Sequence, residues 1–330
     1  MKVTHRRRFV LAAGAFLVAP GVLSQQSADR VRRIGVLYPG THASSATHHA
    51  ALMEDLRERG FVEGRNLHIE YQFADFEYRK LERMAEALVR AKVELIYAST
   101  NWPAYAAQAA TKTIPIVITG VNDPVQVNLV RSLARPGGNI TGVQEATGEL
   151  TAKRVELMRE LFPGSNNLGV VYDEYSARAC SIELKDIGAA GKQLGVEIRQ
   201  FGYTGGASIE DAFGKARRSN ISALLIPTTY ETHRFGQELA TQSSSSRIPL
   251  IHASSVPVEA GGLLSYGPAP SWSPRRAGYY IARILNGAKP SDLPVERPAT
   301  YELVINLRTA RATGVAISQS ILLRADRVIE

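Results

Sequence analysis

The sequence predicts an α/β protein of two Rossmann-like lobes, each built on a parallel sheet and joined by a hinge of several crossovers. Three observations carry that expectation. Short apolar β-branched runs of buried-strand type alternate with longer segments whose apolar residues recur at helical spacing. The alternation runs from Arg33 to Thr119, pauses, and restarts at Leu168 with the same layout but a different sequence. At 330 residues, with 45% hydrophobic and 21% charged, the chain is long enough for two full cores and has the balance of a globular protein.

In the first half, Arg33 to Pro39 reads as a strand and Gly40 to Ser45 as a small-residue loop. His48 to Gly60 follows as a helix with Ala51, Leu52 and Leu56 on one side. Asn66 to Phe73 alternates, placing Leu67, Ile69, Tyr71 and Phe73 on one face of a strand. Tyr78 to Arg90 is helical by the spacing of Leu81, Met84, Ala85 and Leu88. Val93 to Ala98 is a third strand, Pro103 to Lys112 an alanine-rich helix, and Ile114 to Thr119 a fourth strand. Asp123-Pro124 has the form of a helix N-cap with proline at the first helical position, and Val127, Val130, Leu133 and Ala134 supply an apolar stripe. Arg135-Pro-Gly-Gly138 stops that helix, and Ile140 to Val143 starts another strand. The glycine pair suits a turn rather than a phosphate loop, since no GxxxxGK pattern is present.

Leu150 to Phe162 is a helix ended by Pro163-Gly164. Strands at 168–172, 196–201, 223–227 and 248–253 then alternate with helices at 179–194, 209–219 and 233–242. Gly261 to Gly267 is a further strand, Arg275 to Asn286 a helix, and Tyr301 to Leu307 a last strand before a tail helix or turn. This pattern puts lobe 1 at 31–146 and lobe 2 at 147–267. Segment 268–330 then completes both, with crossings near Gln144–Leu150, near Gly267–Ser273 and within Leu293–Glu302. Sites in such architectures lie at the carboxyl ends of the strands, between the lobes.

Residues 1–24 read as an export signal, with the basic start MKVTHRRR, an apolar stretch from Phe9 to Val22, and cleavage near Ser24/Gln25. Arg6-Arg-Arg-Phe-Val10 resembles a twin-arginine signal. The apolar run is short for a membrane span, and no cysteine near it offers a lipid anchor. The formal charge of +8 includes Lys2, Arg6, Arg7 and Arg8 of that segment, so the mature chain is only mildly basic. No basic stripe with interleaved aromatics appears, and no nucleic-acid partner is expected. Cys180 is the single cysteine and reads as a small buried apolar residue.

Several long runs, in order, resemble one family. They are IPIV followed by DPV at Ile114–Val125, SLARPGGNITGV at Ser132–Val143, GGLLSYG at Gly261–Gly267, ILNGAKPSDLPVERP at Ile284–Pro298, and ELVINLRTARATG at Glu302–Gly314. From about Arg33 to Glu330 the chain resembles the periplasmic solute-binding proteins of ABC transporters, specifically the TrpX-like substrate-binding family. The resemblance implies a type I periplasmic-binding fold, a periplasmic location, and capture of a small solute, an amino acid or related carboxylate or aromatic, for a membrane permease. No cofactor is implied, and a monomer is expected. Two positions depart from the family's habit. The loop after the third strand reads Ser99-Thr-Asn-Trp102, and the position after DPV that is commonly glycine is Asn128.

A solute site needs polar groups from both lobes, so that the bound state favours closure. In lobe 1 the candidates are Thr41, Ser44 and Ser45, then Ser99, Thr100, Asn101 and Trp102, then Asn122 and Asp123. Ser44 and Ser45 either offer a helix N-terminus to a carboxylate or are an ordinary cap. Asp123 either takes an ammonium or caps. Trp102 either stacks on a flat ligand or packs under the alanine-rich helix. In lobe 2 the candidates are Tyr175, Thr228, Thr229, Tyr230 and Ser254, with the two tyrosines expected to be partly buried. No HExxH, GxSxG or paired CxxC points to catalysis or a metal. The alternative reading is a periplasmic sensor that presents its solute to a receptor. A periplasmic enzyme ranks behind it for want of a nucleophile and base.

Overall fold

The computed structural model describes residues 30–145, 148–228 and 234–330. The expected export segment at 1–24 lies outside them, as do the candidates Thr229 and Tyr230. Among the described residues no helix is long and apolar enough to cross a membrane.

The first sheet holds β1 (Arg32–Tyr38), β2 (Leu67–Phe73), β3 (Leu95–Ser99), β4 (Ile116–Val121) and β5 (Ile140–Gln144), in the order β2-β1-β3-β4-β5. Every pair is parallel. Successive side chains leave the sheet on opposite faces. Ile34, Val36, Leu95, Tyr97 and Val117 therefore build one core, while Leu37, Ile96, Ala98, Ile116 and Ile118 build the other. The helices α1 (His42–Glu58), α2 (Leu81–Arg90) and α3 (Asn101–Ala110) connect these strands.

The second sheet holds β6 (Asn167–Asp173), β7 (Glu197–Tyr203), β8 (Leu224–Leu225), β9 (Leu250–His252), β10 (Leu264–Gly267), β11 (Glu302–Asn306) and β12 (Arg327–Ile329). Its order is β12-β11-β10-β9-β8-β6-β7. The helices α4 (Gly148–Leu161), α5 (Ala177–Gln193), α6 (Ile209–Arg218), α7 (Gly236–Ser246) and α8 (Ser255–Glu259) belong to it. The long helix α9 (Trp272–Leu285) returns to the first sheet, where Ala277, Tyr280, Ile281 and Leu285 join the core beside Leu52 and Leu56 of α1. The tail helices α10 (Leu307–Thr313) and α11 (Gln319–Leu322) lie on the second, with Ala310 and Ile321 in its core. The chain is thus an α/β protein of two Rossmann-like lobes.

Four details differ from the sequence reading. First, β11 runs antiparallel to β10. β10 leaves lobe 2 through the hinge and the chain comes back through it, so β11 enters from the end at which β10 left. Second, the tail forms an additional edge strand, β12, parallel to β11. Third, α1 starts at His42, not His48. Thr41 accepts from the Ser44 N–H while the Ser44 side chain accepts from the Thr41 N–H, a capping box that begins the helix within the presumed loop.

Fourth, the helix expected after Asp123-Pro124 does not form, and residues 124–128 make turns. Asp123 does accept from the N–H groups of Val125 and Gln126, as a cap would. But Asn128 takes a left-handed φ of 59° and ends the run after one turn. Glycine or asparagine adopts that conformation with least strain, which accounts for asparagine at a position where the family commonly has glycine. Val130 of the expected stripe still reaches the core, with Val127 and Leu133 packed against it, and Leu129, outside the stripe, joins them.

The segment Leu293–Arg297 is zipped along β5. Glu296 donates its N–H to the Gly142 carbonyl at 3.0 Å and accepts from the Gln144 N–H at 2.9 Å. Arg276 of α9 holds the Glu296 carboxylate in a two-pronged pair. The hinge is therefore tied to lobe 1 by backbone and charge together.

Candidate functional site

The lobes touch across the cleft. The Arg234 guanidinium, beside α7 of lobe 2, lies 5.2 Å from the centre of the Phe76 ring in the loop after β2 of lobe 1. Nearer the hinge, Asn122 and Asp123 after β4 share a cavity of about 350 Å³ with Glu183 and Asp186 of α5 and with Arg297 of the crossing segment.

The structure assigns most of the small hydroxyl residues to local duties. Thr41 and Ser44 close the capping box of α1, and Ser45 is buried with its Oγ on the Thr41 carbonyl at 2.9 Å. The reading of Ser44 and Ser45 as residues preceding a helix is corrected, because both lie inside its first turn. Ser254 caps α8 by accepting from Val256 N–H. Ser99 and Asn101 are buried at the carboxyl end of β3, and Thr100 between them has a φ of 79°. Trp102 stacks on Tyr78 at 5.9 Å and meets Tyr105 edge-on at 6.0 Å, within the apolar packing of lobe 1. That is the packing alternative. Tyr175, expected to be partly buried, is 70% exposed. The buried residue of its loop is Ser176, whose Oγ has no hydrogen-bond partner. A short 3-10 turn, started when Asp173 accepts from Tyr175 N–H, turns Ser176 inward and Tyr175 out.

Asn122 is 3% exposed, and neither its amide oxygen nor its amide nitrogen has a partner among the described residues. Buried polar atoms are nearly always paired, so this side chain marks a place where something else belongs.

The charges around the hinge were missed at the sequence level. Arg154 is 1% exposed and lies in α4 among Leu150, Val155 and Met158. It donates to Glu183 at 2.9 Å, to the Leu150 carbonyl and to Thr151. Glu183, equally buried, also accepts from the N–H of Thr228 at 2.7 Å and from its hydroxyl at 3.2 Å. Thr228 is thus held by lobe 2 itself. A charged residue inside an otherwise apolar helical stripe, as at Arg154, was the available signal.

Glu145, at the end of β5, points under Gly120, with its carboxylate 3.3 Å from where a Cβ on that glycine would stand. It lines, with Arg154 and Thr228, a void of about 10 Å³, close to the room of one water. Burial, and then the Glu183 carboxylate, push the Glu145 pKa from 4.5 up to about 7, with Arg154 acting in the other direction. The unfolded chain releases this proton near pH 4.5 while the folded chain keeps it to about pH 7. Glu145 therefore removes stability progressively between those values, on the order of 3 kcal/mol in all. Glu145→Gln is expected to remove that slope and to be the more stable chain above about pH 7. Urea unfolding of both chains near pH 5 and near pH 8 checks it, and parallel pH profiles would show that Glu145 is not desolvated.

A family profile described as "ABC transporter substrate binding protein" matches residues 33–329. The chain belongs to the ABC transporter substrate-binding protein family. The SLARPGGNITGV and ELVINLRTARATG runs, which carried the resemblance, lie within the matched residues. It is 27% identical over 281 residues to a tyrosine-binding protein of Clostridioides difficile, spanning 85% of this chain and 80% of that one. Among solved structures it is similar to an ABC domain in complex with L-Trp from Streptococcus pneumonia. There the TM-score is 0.82 at 26% identity, covering 90% of this chain and 99% of the other. A ligand-free, open substrate-binding protein with adhesive properties from Clostridium difficile matches with a TM-score of 0.67 at 26% identity, covering 91% and 99%.

Proposed function

We propose that this substrate-binding protein is exported, captures an amino acid between its lobes outside the cytoplasmic membrane, and delivers it as a monomer to the permease of an ABC importer. The observation that carries the reading is the likeness, over nearly the whole of both chains, to a structure that holds L-Trp. The relative named for tyrosine points to the same solute class. Closure fits it too, since at equal identity the chain superposes better on the L-Trp complex than on the open, ligand-free protein. The contact of Arg234 with Phe76 is the local counterpart of that arrangement. On this reading Ser99, Thr100 and Asn101 line the solute from lobe 1. Ser176, in place of the exposed Tyr175, reaches it from lobe 2. Thr41, Ser44, Ser45 and Ser254 are occupied as caps and shape the loops without touching the solute.

The test is a thermal-shift and small-angle scattering panel of the common amino acids on the chain beginning after Ser24, with tyrosine and tryptophan first. A solute present at about a hundred times its Kd adds about 2.7 kcal/mol to the stability of the folded state, a shift of several degrees in Tm. A panel that moves neither Tm nor the scattering radius rules the reading out.

A further inference from the structure

The cavity between Asn122–Asp123 and α5 has a composition that the capture of a neutral amino acid does not explain. Its lining brings Asp123, Glu149, Glu183 and Asp186 together with a single guanidinium, that of Arg297. Among the described residues, Glu183 is paired with Arg154 behind it. Glu149, Asp186 and Arg297 have no ion-pair partner among the described residues. Asp123 and Asp186 come from opposite lobes, and their like charges face each other. Burial raises the pKa of Asp186; the neighbouring Lys185 ammonium acts in the other direction, and the Asp123 carboxylate adds to the rise. Asn122 sits in the same wall with both amide atoms buried and unpaired. It offers a carbonyl acceptor and an N–H donor to whatever fills the space.

We propose that this pocket binds the ammonium or guanidinium group of a small organic cation, with Asp123 and Asp186 clasping it from the two lobes and Asn122 hydrogen-bonding to it. The chemistry excludes the other classes. An anion meets four carboxylates. A compact metal ion needs three converging ligands, and among the described residues no such group of His, Cys, Asp or Glu side chains exists. A volume of about 350 Å³ suits a molecule of several heavy atoms. A cation held between Asp123 and Asp186 also cancels the repulsion that closing the lobes creates. It binds the closed form better than the open one and so favours closure. None of Ser99, Thr100, Asn101 and Ser176 lines this pocket, so the proposal goes beyond the amino-acid reading and does not depend on it.

The test uses the full mature chain at constant ionic strength, with 1,4-diaminobutane and agmatine as probes, because both lack the carboxylate of an amino acid. Calorimetry and thermal shift are expected to show saturable binding to the wild type, at least tenfold weaker in Asp186→Asn and in Asn122→Ala. Circular dichroism and unfolding of the variants without probe establish that they fold. No saturable binding, or binding of equal strength in Asp186→Asn, overturns the proposal. So does displacement of the probe by whichever amino acid the central cleft takes, since that puts the amine in the cleft instead. If no amino acid binds but the amines do, the cation site stands and the amino-acid reading falls; the reverse result removes only the cation site.

Discussion

Arg154→Ala is expected to destabilise the protein by about 3–5 kcal/mol at neutral pH, the usual consequence of removing one partner of a buried ion pair. The guanidinium is 1% exposed and its partner Glu183 is 2% exposed. Removing it leaves the Glu183 carboxylate buried without its counter-ion, next to Glu145, which Glu183 already pushes toward neutrality. Glu145, no longer held down by the Arg154 charge, then keeps its proton in the folded state to still higher pH. The variant should therefore regain stability as the pH falls toward 5, in the same direction as the wild-type Glu145 effect but more steeply. Arg154→Met with Glu183→Gln in the same chain removes both charges yet keeps an acceptor for the Thr228 N–H, and should recover most of the loss. Urea unfolding of the three chains near pH 5 and near pH 7.5 reads all of this. A single variant within about 0.5 kcal/mol of wild type, the range of ordinary surface substitutions, would mean that the pair is not buried in solution.

Gly142→Ala should be comparably damaging, by about 4 kcal/mol, for a different reason. Gly142 has a φ of 138°, a conformation that L side chains rarely adopt, and a Cβ there would stand 2.2 Å from the Ile118 carbonyl oxygen and 2.7 Å from the Ile118 nitrogen. Those are backbone atoms of β4, so no rotamer relieves the clash. Backbone strain and overpacking each contribute about 1–3 kcal/mol. The same glycine carries the bond from Glu296 that ties the hinge to β5. The effect should appear as lost stability and as a looser, larger particle by small-angle scattering. Gly138→Ala is the control, since a Cβ there meets nothing within 4 Å and should change stability by under about 0.5 kcal/mol. Equal stability of the two variants would show that β5 does not approach β4 as described.

The position of Gly142 illustrates what could be read early. It stands in the SLARPGGNITGV run, and that run carried the family resemblance. Its reason for being glycine, a close approach to Ile118 from a strand 24 residues away, becomes visible only when the sheet is formed. The Asp123-Pro124 helix failed for a related cause. Cap and stripe were both present, but Asn128 in a left-handed conformation ended the turn, and the apolar residues were used by the core without a helix. The start of α1 was misplaced because Thr41 and Ser44 look like loop residues when counted singly and like a capping box only as a pair.

By itself the sequence determined the two-lobed α/β plan, the placement of most strands and the family. Those follow from periodic burial and from long runs of residues, which are local properties of the chain. The tertiary structure decided which polar residues are free to act. Tyr175 and Ser176 are neighbours, yet one turn exposes the first and buries the second. Asn122 and Asp186, 64 positions apart in sequence, line one cavity only because the two lobes meet there. Glu183 becomes a partner for Arg154 only where α4 packs on α5. Such groupings depend on distances between segments, and charge, burial and hydrogen bonding act over those distances, not along the chain.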